Sequence, residues 1–319
     1  MIEIFYNKYG RIRSGWRFIV FLLVFIPVFA VTGAAAGFLF SSLPIGFSEN
    51  ALLARIIGST LGIAVAVLLG WFCGKIFEGL PFRALGASFT KYWLKDLAGG
   101  ILAGTLTLIV AVLIAVVFGG LSFKYNDSAG STAILITLLM TLFIFVLGAA
   151  FEEVLVRGYI FQTLTRADLS WLAIILTSLF FASGHLGNPG SNVFSTINTA
   201  LAGVWLGVAY LKTRTLWLVF GIHFAWNWVM GSFFGIEVSG LKELVPAPFL
   251  MEIDNGPVWI TGGNYGLEGG IACTAALVIS TIAIWYLPVF KPSEEMLELT
   301  SAEIPDEQFL ARHSNQSSI

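Results

Sequence analysis

Glu152 and Glu153 close an apolar run, Thr132 to Phe151, and Arg157 follows them in the pattern E-E-x-x-x-R. A charged side chain in or near lipid costs about 2.5–3.5 kcal/mol even on lenient insertion scales. Two of one sign side by side therefore imply a compensating use. On a helix, Glu153 and Arg157 are i and i+4, so they share a face and can pair. Glu152 is turned from Glu153 by about 100° and points away from that pair. One carboxylate is thus held by the arginine, and the other is left to serve as a general base.

Only three histidines occur in the chain: His313 lies in a polar tail, and His185 and His223 lie in or beside hydrophobic segments. His223 and Asn227, in H-F-A-W-N, are i and i+4. An amide there can orient the imidazole or donate to a developing oxyanion. Phe181 and His185, in F-A-S-G-H, repeat the spacing with an aromatic that can wall a pocket or fix the ring. Each feature alone has a structural reading. A Glu–Arg pair near a membrane face is mostly structural, a histidine at a span end is mostly interfacial, and an intramembrane asparagine is mostly helix–helix glue. Gly203 and Gly207 form a small-xxx-small packing face with no chemical role, and Trp205, Trp217, Trp226 and Trp228 suit interfacial belts and core packing. Together, however, both membrane histidines and the only adjacent acid pair in an apolar segment fall between residues 152 and 223.

The elements that must position these groups are membrane spans. Of 319 residues, 57% are hydrophobic and 11% charged, against about 25% charged in a soluble domain. Mean hydropathy is +0.87. A span needs about 20 apolar residues. Eight segments qualify or nearly so: 17–40, 52–77, 97–121, 132–152, 169–186, 192–211, 215–235 and 269–290. The expected fold is all-α, a polytopic membrane helix bundle of about eight transmembrane helices. The first span is too long for a signal peptide and lacks a convincing cleavage site, so it reads as a retained anchor. Cys73 and Cys273 fall inside spans, which argues against a disulfide framework or a cysteine zinc site. The net charge of −2 gives no reason to expect nucleic acid. The lipid bilayer is the expected environment.

Positive charge sets orientation. Lys8, Arg11, Arg13 and Arg17 precede the first span, and Lys75, Arg83, Lys91 and Lys95 lie between the second and third. Arg166, Lys212, Arg214 and Lys291 fall on the same side, whereas the opposite loops hold Lys124 and Lys242, with Arg55 at a span edge. Both termini are predicted cytoplasmic, in the cell (plasma) membrane. The chain divides into N-terminal spans (1–130), a core (131–235), an acidic external loop (236–268), a last span (269–290) and a solvated polar cytoplasmic tail (291–319). No internal or inverted repeat is evident.

The motif set resembles the CAAX-protease and bacteriocin-processing (abortive-infection) family of intramembrane proteases, the CAAX prenyl endopeptidase-like proteins. Its E-E-x-x-x-R, F-x-x-x-H and H-x-x-x-N motifs match Glu152 to Arg157, Phe181 to His185 and His223 to Asn227. The surroundings of Arg157-Gly158-Tyr159, and Gly203, Gly207, Tyr210, Thr213, Leu216 and Trp217, resemble it too, so the specific match covers about residues 145–230. The resemblance implies an endopeptidase acting on a protein or peptide substrate. In it Glu152 activates a water assisted by His185, His223 and Asn227 form an oxyanion site, and Glu153 and Arg157 support the glutamate or bind substrate.

A metal is left open. A catalytic zinc takes three protein ligands and an open water position. Glu152, His185 and His223, or Glu153 with both histidines, supply that number, but the pattern is not H-E-x-x-H. A metal-free glutamate mechanism is equally consistent. Two other classes stand beside the protease. One is a non-catalytic immunity or regulatory protein on the same scaffold, and the other is a proton-coupled transporter, since intramembrane acids also mark proton paths. Topology sets one difficulty: His185 falls near the outer end of its span and Glu152 near the inner end of its own. A longer, oblique element from 134 to 165 would bring Glu152 toward mid-membrane.

Overall fold

The structure, a computed structural model, describes residues 2–41 and 51–301. His313 and the tail beyond 301 lie outside the described residues. A short helix α1 (Ile2–Phe5) precedes three long apolar helices, α2 (Ser14–Ser41), α3 (Ala51–Glu78) and α4 (Trp93–Gly119). Pro27 sits inside α2. Strand β1 (Leu121–Tyr125) leads to α5 (Ser131–Glu153), which continues through a π-helical stretch, Val154–Ile160, into α6 (Phe161–Arg166). Then come α7 (Ser170–Ser183), α8 (Val193–Thr213) and α9 (Leu216–Trp228). The remaining elements are β2 (Leu250–Asp254), α10 (Val258–Thr261), α11 (Ile271–Tyr286) and α12 (Glu294–Thr300).

The architecture is the all-α membrane bundle expected. Among the described residues six helices are long and apolar enough to cross a membrane, and α7 and α11 are shorter apolar helices at two of the eight expected positions. The fourth span is one apolar element of 36 residues, Ser131–Arg166, so Glu152 lies well inside it rather than at its end. That length removes the difficulty of depth.

Without a hydrophobic drive between helices in lipid, close approach rests on small residues and interhelical hydrogen bonds. Helix α4 packs on α9 through Gly100 and Gly104, where an added Cβ would overlap the Leu218 and Ile222 carbonyls. On the facing helix, a Cβ at Gly221 would lie 2.5 Å from the Leu97 carbonyl. This contact fixes the helix that carries His223. Hydroxyls and an indole add links: Thr107 donates to Ser280 (2.8 Å), Trp205 Nε1 donates to Ser280 (2.9 Å), and Thr141 bonds Ser232 (2.7 Å).

Two segments read as lying outside the bilayer, the external loop and the solvated tail, are more ordered than their charge suggests. The loop from 236 to 270 folds back on the bundle: β2 pairs antiparallel with β1, and Asn126 donates to the Pro248 carbonyl. The start of the acidic tail forms α12, capped by Ser293, with Met296 and Leu299 buried against Ala84 and Glu295 paired to Arg83 at 2.8 Å. Two apolar residues one turn apart give that helix a face to bury, which the count of acids conceals.

Candidate active site

The acid pair sits where α5 gives way to the π-helical stretch, and Gly158 within that stretch has non-helical ψ of −109°. Such bulges widen one turn and recur at functional sites. Here the bulge leaves the Glu153–Arg157 pair intact: Arg157 Nη1 donates to both Glu153 oxygens at 3.1 and 3.2 Å. Both side chains are essentially sealed from solvent. Arg157 Nη2 donates to the Gly203 carbonyl at 3.0 Å, and its guanidinium lies 5.2 Å from the Phe181 ring centre. Gly203 therefore has a use beyond packing, because its carbonyl holds the arginine.

His223, on α9, closes the chain of contacts. Its Nδ1 lies 2.7 Å from Glu153 Oε1. A carboxylate held by an arginine accepts only, so Nδ1 donates and Nε2 is left to face outward. That Nε2 stands 3.6 Å from Glu152 Oε2, too long for a direct hydrogen bond and suited to a shared water. Glu152 differs from its neighbour in every respect. Its side chain is 32% exposed, against 1% for Glu153, and its Oε2 is buried without a hydrogen-bond partner.

His185 lies just past α7, where its Nδ1 meets the Phe181 carbonyl at 2.9 Å. A carbonyl cannot donate, so Nδ1 carries the proton and Nε2 is the free nitrogen. The Phe181 ring packs against His185 (4.8 Å between centres) and His223 (5.9 Å). One aromatic thus touches both imidazoles and the guanidinium. Glu152, His185, His223 and Asn227 all line one cavity of about 340 Å³, with Phe181 in its wall.

The fit to a metal is poor. Among the described residues, no group of three or more His, Cys, Asp or Glu side chains is disposed to hold an ion. Glu153 is committed to Arg157 and His223, so the set of Glu153 with both histidines is not free to hold an ion; Glu152, His185 and His223 share the cavity without forming such a group.

Several cavity residues come from segments that seemed irrelevant. Glu268, in the loop before α11, accepts from Trp226 Nε1 at 2.9 Å, and from the Ser239 amide and hydroxyl at 2.8 and 2.7 Å. Asn198 on α8 donates to the Glu268 and Gly270 carbonyls, both at 2.9 Å, and its Oδ1 accepts from Thr274 at 2.6 Å. These bonds clamp the loop over the cavity. The available signal was Gly266-Leu-Glu-Gly-Gly270, an acid flanked by glycines at a span edge.

Residues 134–229 match the Rce1-like family, described as type II CAAX prenyl endopeptidase Rce1-like. The matched segment contains all three motifs and the whole acid–imidazole constellation, so this part of the chain is similar to the CAAX proteases. No curated protein matches the chain.

Proposed function

We propose that this chain, with its CAAX-protease-family core, is an intramembrane endopeptidase that hydrolyses a peptide bond in a membrane-associated protein or peptide. The observation that carries the reading is the asymmetry of the acid pair. Glu153 is saturated by Arg157 and His223, while Glu152 turns an unpartnered oxygen toward a cavity, opposite the His223 Nε2. Amide hydrolysis needs a base, an oxyanion donor and a proton route.

Glu152 and His223 Nε2 hold the attacking water between them. Glu152 takes its proton as the water oxygen bonds the carbonyl carbon, and the carbonyl oxygen gains the negative charge. The Asn227 amide, one turn beyond His223 and in the same cavity, donates to that oxygen. The C–N bond breaks as the proton held by Glu152 passes to the leaving nitrogen, with His185 Nε2 available as a relay. Arg157 and Glu153 are positioning residues that act through His223. In this scheme His223, rather than His185, assists the base, a reading supported by the 3.6 Å between its Nε2 and Glu152. No step is routed through zinc, because the residues present do not gather into a zinc-binding set.

The protein sits in the cell membrane with both termini cytoplasmic. The test is Glu152→Gln: cleavage of membrane substrates is lost, while expression, insertion and thermal stability in detergent are kept. Retained cleavage in that variant overturns the assignment. Metal analysis of the active, purified protein decides the zinc question separately, since stoichiometric zinc removed together with activity contradicts the metal-free scheme.

A further inference from the structure

The bundle has two unlike ends. At one end Glu78 joins Arg17 and Arg166, Lys95 donates to the Val289 carbonyl, Lys212 to the Trp285 carbonyl, and Arg214 to the Thr300 carbonyl. Nearly all the loop cations gather there, and by the positive-inside rule that end faces the cytoplasm. The cavity belongs to the other end. Its wall from α3 is Arg55, Gly58 and Ser59, in the first turns of a helix whose last residue is Glu78. At 1.5 Å per residue Arg55 stands about 34 Å along the axis from that glutamate, roughly a bilayer core away. The cavity also takes His185 and Asn188 from beyond the end of α7, and Ser239 and Glu268 from the loop clamped over it.

The clamped loop roofs the cavity, so the approach is from the side. Helix α3 packs on α2, α5 and the π-helical stretch, while its cavity-lining residues share the cavity with Thr199 and Ala202 of α8. The rim at the start of α8 is apolar and exposed: Leu186 (57%), Val193 (74%), Phe194 (51%) and Ile197 (56%). Arg55, exposed and in the first turns of α3, is the one Lys or Arg among the described cavity-lining residues.

Resting on the protease reading above, we infer that the scissile bond reaches Glu152 laterally, between α3 and α8, from the extracytoplasmic side. The substrate is then an exported polypeptide tethered at the outer membrane surface, not a lipidated protein displayed to the cytoplasm. An apolar rim receives the tether, and the polar cavity receives the extended segment beside it.

Cysteine accessibility tests the side, and fragment mapping tests the substrate. In a Cys73→Ala, Cys273→Ala background, single variants Lys242→Cys, Ser59→Cys and Arg83→Cys are exposed to a membrane-impermeant sulfonated maleimide on intact cells and on inverted vesicles. Lys242→Cys and Ser59→Cys are expected to label at least tenfold better on intact cells, and Arg83→Cys on inverted vesicles. The reverse pattern overturns the inference and leaves the protease reading standing. If the background fails to insert, the same variants go into the natural chain, whose two cysteines are buried and give the blank. Fragments released by cells with the natural chain but not Glu152→Gln are then mapped. Origin in extracytoplasmic juxtamembrane segments supports the inference, and origin in cytoplasmic segments overturns it. Absence of any Glu152-dependent fragment instead overturns the protease reading, and the substrate assignment with it.

Discussion

One continuous element, Ser131–Arg166, contributes to two buried ionic clusters, and they are built in opposite senses. At its Arg166 end one carboxylate, Glu78, stands between two guanidiniums: Arg17 Nη1 at 2.9 Å, and Arg166 through Nε and Nη2 at 2.9 and 3.0 Å. Gln162 extends the cluster, accepting from Arg166 at 3.3 Å and donating to the Leu85 carbonyl at 2.9 Å. The cavity beside it is about 10 Å³. At the other cluster one guanidinium stands among two carboxylates and an imidazole, beside about 340 Å³. The first is a staple joining α2, α3 and α6, with no room for a reactant. The second has an excess acid and a place for water and substrate. Buried charge alone does not mark chemistry; a surplus group of one sign beside a cavity does.

If that contrast is right, the staple fails by unfolding and the site fails by inactivity. The largest stability effect is expected for Glu78→Ala, which leaves two buried arginines without their carboxylate. Breaking such a pair costs about 3–5 kcal/mol. Thermal denaturation in detergent should fall accordingly, and the surviving folded fraction should keep its specific activity. Gly221→Leu comes next. Its side chain must enter the space of the Leu97 carbonyl, and overpacking costs about 1–3 kcal/mol. This variant should lose activity as well as stability, because the shift moves His223 off Glu153.

Asn227→Ala sharpens the site half of the comparison. Removal of one oxyanion donor typically lowers kcat by about 10²–10³-fold, and here the melting temperature should stay within a degree or two of the parent. A kcat unchanged by this variant places the oxyanion elsewhere in the cavity. The smallest effect is at the β1–β2 pairing. Burial, with Asp254 and Glu237 adding like charge, pushes the Glu252 carboxyl up to about 7. On the folded β2, Glu252 therefore holds a proton that the unfolded chain releases at lower pH. The stability of the β1–β2 pairing is complete below the ordinary carboxyl range and declines as pH rises toward 7. Amide exchange of residues 250–254, corrected for intrinsic rates, should be faster at pH 8 than at pH 5. Glu252→Gln should flatten the difference.

The local part of this picture is readable in the chain, and the distant part is not. The Glu153–Arg157 pair follows from an i, i+4 spacing, and the long fourth element follows from apolar residues continuing through Tyr159, Ile160 and Leu164. Helical periodicity carries both. Arg166 looked like a loop cation that merely sets topology, yet it is buried against Glu78, 88 residues away. Gly100 and Gly104 gain their meaning only from Gly221 standing opposite. Glu268 and Ser239 looked like solvated loop, and only the clamp by Trp226 and Asn198 puts them at the cavity. In each case the partner lies on another helix, and no spacing along one helix reports which helices meet.

The central claim is that two adjacent glutamates have separate work, and a paired measurement tests it most directly. Glu152→Gln and Glu153→Gln are each purified, and thermal stability in detergent and cleavage of membrane substrates are measured side by side. Glu152→Gln should keep the parent's stability and lose cleavage by about 10²–10⁴-fold, the usual worth of a general base. Glu153→Gln should lose stability as well, since Arg157 is left buried without its counter-charge and His223 without its orienting acceptor. A Glu152→Gln protein that cleaves normally, or a Glu153→Gln protein as stable as the parent, contradicts the account.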